Sequence, residues 1–325
     1  SEEWAKAYET MSCLDGLIEL YRITGINKYR NAVQYLYELL LEHESNTVGS
    51  VAFNDIFAHA SAYQNSISEP CDVIHWIRVC TELFTLTGKE CYMDSAEKAF
   101  YNTLIASISD DGTWGARGVR SGGRHFLAKG QSGCVYNHCC VDNIPRGFLN
   151  FTSSAVMTAG NEYYINQVCP FVYGDGARRV KITCHDGYLE RGRVKIDIES
   201  DSALTLHLRV PSSAGANASV TVKGEKRAVR PGGYIELKTE PNHTQIEAVF
   251  DFSAKVCDFT APVDVDTYPD DDFRVRRWVG EYTPELNLPR SCMMSVPCSR
   301  ITYGPLILAR SEKLGASAEV LFDFE

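Results

Sequence analysis

LIELYRITGINKYRNAVQYLY (17–37) and CTELFTLTGKECYMDSAEKAF (80–100) are the same unit written twice, 63 residues apart. Glu19 aligns with Glu82, Leu20 with Leu83, Tyr21 with Phe84 and Tyr29 with Tyr92. Thr24-Gly25 aligns with Thr87-Gly88. Each copy carries apolar residues at helical spacing up to the Thr-Gly pair, then a second helical run. The glycine stands where a helix stops in the left-handed conformation. A helix–turn–helix unit that recurs buries its apolar face on its neighbour, which predicts stacked helical hairpins. Such hairpins, arranged as a ring, gather their loops around a central cavity.

The periodicity changes after about residue 158. RVKIDIES (193–200) and LTLHLRV (204–210) alternate apolar and polar residues, with Leu204, Leu206, Leu208 and Val210 on one face. ASVTVKG (218–224), GYIELKT (233–239) and TQIEAVFDF (244–252) continue the alternation, and turns such as RPGG separate them. Short strands at this spacing predict a β-sandwich. Helices first and strands second argue for a multidomain α-then-β chain rather than a βαβ fold. The expected domains are 1–158, helical, and 159–325, β-sandwich.

The chain has 325 residues and a net charge of -10, and its basic clusters are short and scattered. No nucleic-acid partner is expected from such a surface. No run of about 18 apolar residues is present, so no membrane-spanning helix is expected. Twelve cysteines are many for a chain with enough apolar residues to fold without disulfides. Cys13, Cys80 and Cys91 sit in helical patterns and are read as small buried side chains.

Three short segments of the helical half carry chemistry. SEPC (68–71) supplies Glu69 and Cys71 around a proline suited to a first helical turn. NHCCVDN (137–143) supplies adjacent Cys139 and Cys140, a pair that seldom bonds to itself because the linkage is strained. FNDIF (53–57) supplies Asp55. One carboxylate and three thiols make an oxygen–sulfur donor set suited to tetrahedral zinc, although the spacing fits no zinc-finger pattern. Taken singly, Glu-x-Cys and Cys-Cys are equally compatible with ordinary packing.

AYETMSCLDGLIELYRITGINKYRNAV, SEPC, CCVDNIPRGF, LHLRVPSSAGANASVTVKGE and ITYGPLILAR resemble, in order along the chain, segments of glycoside hydrolase family 127, the β-L-arabinofuranosidases. The resemblance implies an (α/α)6 barrel followed by β-sandwich domains. The helical half has only five or six helices where a closed barrel needs a dozen. Preceding hairpins or a second copy of the chain, as a homo-oligomer, would complete such a barrel. Position by position, the resemblance implies Zn2+ held by Glu69, Cys71, Cys139 and Cys140, with Cys139 as the nucleophile toward a carbohydrate substrate.

The family's general acid is a glutamate, and here Asp55 stands nearest to it, one methylene shorter. His59 is the second candidate for that role. Val141-Asp142 replaces a Pro-Pro pair after the cysteines. His138 is a candidate partner of the metal site, and Asn143 and Arg146 match residues that fix the loop or touch the sugar. The leading expectation is a retaining glycosidase; the alternative is a non-catalytic carbohydrate-binding or scaffold member with a structural zinc. The need to keep Cys139 and Cys140 reduced points to a cytoplasmic compartment.

Overall fold

The computed structural model describes residues 6–52, 57, 68–108, 139–264 and 293–308. Helices α1 (Ala7–Thr24), α2 (Asn27–His43), α3 (Pro70–Thr87) and α4 (Glu90–Ala99) form two hairpins. Gly25 and Gly88 end the first helix of each hairpin at φ 67° and 66°, and their N–H groups bond to the carbonyls of Tyr21 and Phe84 at 2.8 Å in both. The neighbouring threonines repeat the match. Thr24 Oγ1 donates to the Leu20 carbonyl and accepts from the Ile26 N–H, and Thr87 Oγ1 does the same with Leu83 and Lys89. The Thr-Gly pair is therefore a local stop signal, made twice by the same atoms.

The two copies also meet each other. Ser12 bonds to His75, and Arg22 donates to Thr85, both across a separation of 63 residues. Equivalent positions of the repeat face one another, so α1 and α3 lie side by side in register. α3 is buried on nearly every side, and Trp76 stacks on Tyr37 of α2 at 5.0 Å. Such a helix is the centre of its layer rather than a surface element.

After α4 the chain tightens into a π-helical turn, Phe100–Leu104, then a 3₁₀ turn, Ile105–Ser107. Asn102 lies in the π turn. Its amide donates to the Pro305 carbonyl at 2.9 Å, and its oxygen accepts from the Ile307 N–H at 2.6 Å. One side chain thus does the pairing of a strand residue and ties the helices to the last described strand. Helix α5 (Cys139–Ser153) packs on α3 and on this turn, with Phe151 stacked on Phe100 at 3.8 Å.

Helix gives way to strand between Ser153 and Val156. Strands β1 (Val156–Ala159), β2 (Glu162–Ile165), β6 (Thr205–Val210) and β9 (Gly233–Lys238) form one sheet in the order β1-β2-β6-β9. A six-stranded sheet has the order β3-β4-β5-β10-β7-β8. Its strands are β3 (Phe171–Asp175), β4 (Val180–Cys184), β5 (Arg193–Ser200), β7 (Ser219–Val222), β8 (Glu225–Ala228) and β10 (Asn242–Val249). Both sheets feed one hydrophobic core: Leu206 and Leu208 from the first meet Ile196, Ile198 and Ile246 from the second. A third sheet holds β11 (Ala254–Asp264), β12 (Met293–Tyr303) and β13 (Leu306–Leu308).

Arg209 of β6 joins the helical and strand halves. It is fully buried on the face opposite Leu206 and Leu208 and points into α4. It pairs with Asp94 at 2.6 Å and Glu97 at 2.7 Å, and donates to the Asn166 carbonyl at 2.6 Å. Tyr188 also donates to Glu97, at 2.9 Å. Burial pushes Glu97 above the usual carboxylate range even against the pull of Arg209.

The cysteine expectation needs correction. Cys80 is buried, but Cys13 and Cys91 are exposed, because α1 and α4 turn those positions away from the shared core. Among the described residues no helix is long and apolar enough to cross a membrane.

Candidate active site

Glu69 immediately precedes α3, and Pro70 and Cys71 form its first turn. Proline is suited to that position because its missing N–H would have no helical partner. Glu69 has the extended backbone of a cap, φ -79° and ψ 138°, yet its carboxylate makes no capping bond to the helix. The carboxylate turns instead to the Cys140 thiol, at 3.1 Å. Cys139 and Cys140 begin α5. Packing of α5 on α3 therefore brings two helix N-termini to one point, where their dipoles favour negative charge and lower the cost of a thiolate.

The donor atoms of Glu69, Cys71, Cys139 and Cys140 all lie within 4.8 Å of one another. The Cys71–Cys140 sulfur distance is 3.8 Å, and the Cys139–Cys140 distance is 3.9 Å. Three sulfurs about 2.3 Å from a tetrahedral zinc would be about 3.8 Å apart. The geometry and the chemistry of the donor set both fit that ion. Crowding opposes ionisation of the two buried thiols, Cys71 and Cys140. The hydrogen bond with Cys139 is the first cause pushing both Cys71 and Cys140 up. Two buried thiols held in their protonated form beside a third sulfur and a carboxylate are a set that a cation would complete.

Burial divides the four. Glu69, Cys71 and Cys140 are buried, while Cys139 is exposed. Asn143 donates to the Cys71 sulfur at 3.5 Å from the first turn of α5. Asp142 and Arg146 are exposed on the same helix. Asp55, His59 and His138 lie outside the described residues.

One neighbour is not apparent from motifs. His75 follows Cys71 by one helical turn and is buried. Ser12 Oγ lies 3.2 Å from its Nδ1, and the Tyr8 ring sits 6.0 Å away. Burial, then the charges of Arg78 and Arg146, pull its pKa down to about 4, so the ring is neutral at physiological pH. Tyr8 packs against Cys71 and Cys140. The Cys71/His75 spacing of four on one helix face was the available signal; the partner, Ser12, comes from the repeat-related helix.

Residues 3–153 match the family described as β-L-arabinofuranosidase, GH127 catalytic domain. Three solved structures share the fold over 94% of this chain. One is a GH127 β-L-arabinofuranosidase from Geobacillus stearothermophilus T6, with TM-score 0.65, 18% identity and 47% of its own length covered. Another is a glycoside hydrolase, with TM-score 0.67, 16% identity and 52% covered. A third is a GH127 β-arabinofuranosidase, with TM-score 0.69, 17% identity and 48% covered. At these identities the likeness is one of fold, and the chain spans about half the length of each. No curated protein matches the sequence.

Proposed function

Because its helical half belongs to glycoside hydrolase family 127, we propose that this chain is a retaining glycosidase for β-L-arabinofuranoside-like substrates and that Cys139 is its nucleophile. The supporting observation is the division of burial within the donor cluster. Three donors are enclosed, and the fourth, Cys139, faces solvent at the start of α5. A substrate can approach that sulfur and no other in the set.

Attack by the Cys139 thiolate forms a carbon–sulfur bond at the anomeric carbon as the glycosidic carbon–oxygen bond breaks. The departing oxygen takes a proton from a carboxylic acid, and family resemblance offers Asp55 for that role. Water then attacks the same carbon, returns a proton to that carboxylate, and the carbon–sulfur pair goes back to sulfur. Two displacements at one carbon leave its configuration unchanged. Glu69, Cys71, Cys139 and Cys140 would hold Zn2+, which when bound strips the thiols of their protons and keeps sulfur anionic at neutral pH. Asn143 keeps Cys71 in position by donating to its sulfur. His59 is the reserve candidate for the acid, and His138 and Arg146 for contacts at the rim.

In the same reading, the hairpins are part of an (α/α)6-type barrel, the two sheets with a common core are its β-sandwich, and the domain boundary, expected at 158/159 from the sequence, lies near the start of β1. The presence of Asp55 where the family has glutamate favours one second reading, a carbohydrate-binding member with a structural zinc. Metal analysis combined with release of a chromophore from aryl glycosides separates the two. The glycosidase reading expects one zinc per chain and turnover that Cys139→Ser abolishes. Zinc without turnover, in the wild type and in Asp55→Glu alike, would support the second reading. Absence of zinc with all four donors intact would overturn both.

A further inference from the structure

A second site lies where α4 meets the β11–β12–β13 sheet. A cleft of about 290 Å³ opens there and shares no residue with the cysteine cluster. Lys98 enters it from α4, and Lys255 and Arg300 enter from the sheet. Lys255 lies directly opposite Thr302 in the ladder, and Arg300 is two residues from Thr302, so these three side chains share one face. Two acids, Asp94 and Glu97, also line the cleft, but both already face Arg209. Among the described residues no carboxylate pairs with Lys98 or Lys255. The Ser213 hydroxyl, on the remaining wall, is buried and has no hydrogen-bond partner among the described residues.

Three converging cations, an unused hydroxyl and a threonine form a surface built for an oxygen-rich anion. We propose that this cleft binds a small oxyanion, a phosphate or a sugar carboxylate, between Lys98 on the helix and Lys255 and Arg300 on the sheet. The volume is small by the standard of drug-sized pockets, which suits one such group with a single ring attached. Lys98 is half-buried. Burial, followed by repulsion from Arg300, lowers its pKa to about 8, and no carboxylate among the described residues pairs with the amine that the anion would meet. The ligand would bridge helical and strand halves beside the Arg209 network.

Isothermal titration calorimetry on the full chain tests this with inorganic phosphate, glucuronate and, as the neutral control, glucose. Millimolar or tighter binding is expected for phosphate, glucuronate or both, and whichever binds identifies the group recognised. Lys98→Met should weaken that binding about tenfold or more, the loss expected for one charge-assisted contact. Lys255→Ala, at an exposed position, should weaken it in the same direction with an unchanged unfolding midpoint. Failure of both anions to bind would overturn the proposal. So would affinities that neither substitution changes, or glucose binding as tightly as glucuronate.

Discussion

Replacing Arg209 with methionine removes the one charge that links β6 to α4. The guanidinium is fully buried and Glu97 is 2% exposed, so the carboxylate left behind has no access to water. Breaking a buried pair by deleting one partner costs about 3–5 kcal/mol. The Asn166 carbonyl also loses its donor, which adds about 1 kcal/mol. Methionine occupies much of the vacated volume, so the cavity contribution is small. The expected loss at pH 8 is about 4–6 kcal/mol, a large share of a typical total of about 5–15 kcal/mol.

The pH dependence has a fixed sign. Glu97 in the folded protein holds its proton more tightly than in the unfolded chain, and loss of Arg209 raises its pKa further. The folded state then binds more protons than the unfolded state, so the variant's stability falls as pH rises above the ordinary carboxylate range. The penalty of Arg209→Met should therefore shrink on acidification, by at most about 1.4 kcal/mol per pH unit. Urea titrations at pH 5, 6.5 and 8 would measure it, with Arg209→Met/Glu97→Gln closing the cycle and recovering part of the loss. A penalty under about 1 kcal/mol at pH 8, or one that grows on acidification, would refute the argument.

Three other outcomes are expected. Gly147→Ala would put a methyl group 2.8 Å from Ile74 and from Leu104, pushing α5 off α3; a net cost of about 1–2 kcal/mol after the gain in helix propensity is expected in urea unfolding, along with weaker metal retention on dialysis. Cys71→Ser should lose the metal and lower the unfolding midpoint, read by metal analysis and thermal melting in parallel; retention of stoichiometric zinc would remove Cys71 from the donor set. Asp15, whose pKa burial raises to about 6 despite Arg78, is held protonated more readily in the folded chain than its ordinary 3.8. Its contribution to stability is thus lost as pH climbs from about 4 to 6, and Asp15→Asn should gain on the wild type across that window and run parallel to it above.

The features legible in the sequence are those set by neighbours along the chain. Gly25 and Gly88 announced both helix ends because the left-handed stop is a local property. Leu204 to Val210 announced β6 because alternation is local too. Donor residues were legible as residue types, and the resemblance grouped them. What escaped depends on partners far away in sequence. Arg209 sits in the alternation as a solvent-facing residue, and only the arrival of α4 turns that face into an interior. The burial of His75 depends on α1, and Asn102 acts as a strand residue only because β13 lies beside it. Cys13 and Cys91 fit a helical pattern but fall on faces the core does not reach.

Peptide mass mapping after a brief reaction with an aryl β-L-arabinofuranoside, quenched by denaturation, tests the central claim most directly. The account predicts the mass of one pentosyl group on the peptide that carries Cys139 and Cys140, with fragmentation placing it on Cys139 and its loss in Cys139→Ser. A pentosyl group on Asp55 or another carboxylate, or turnover that persists in Cys139→Ser, would contradict it.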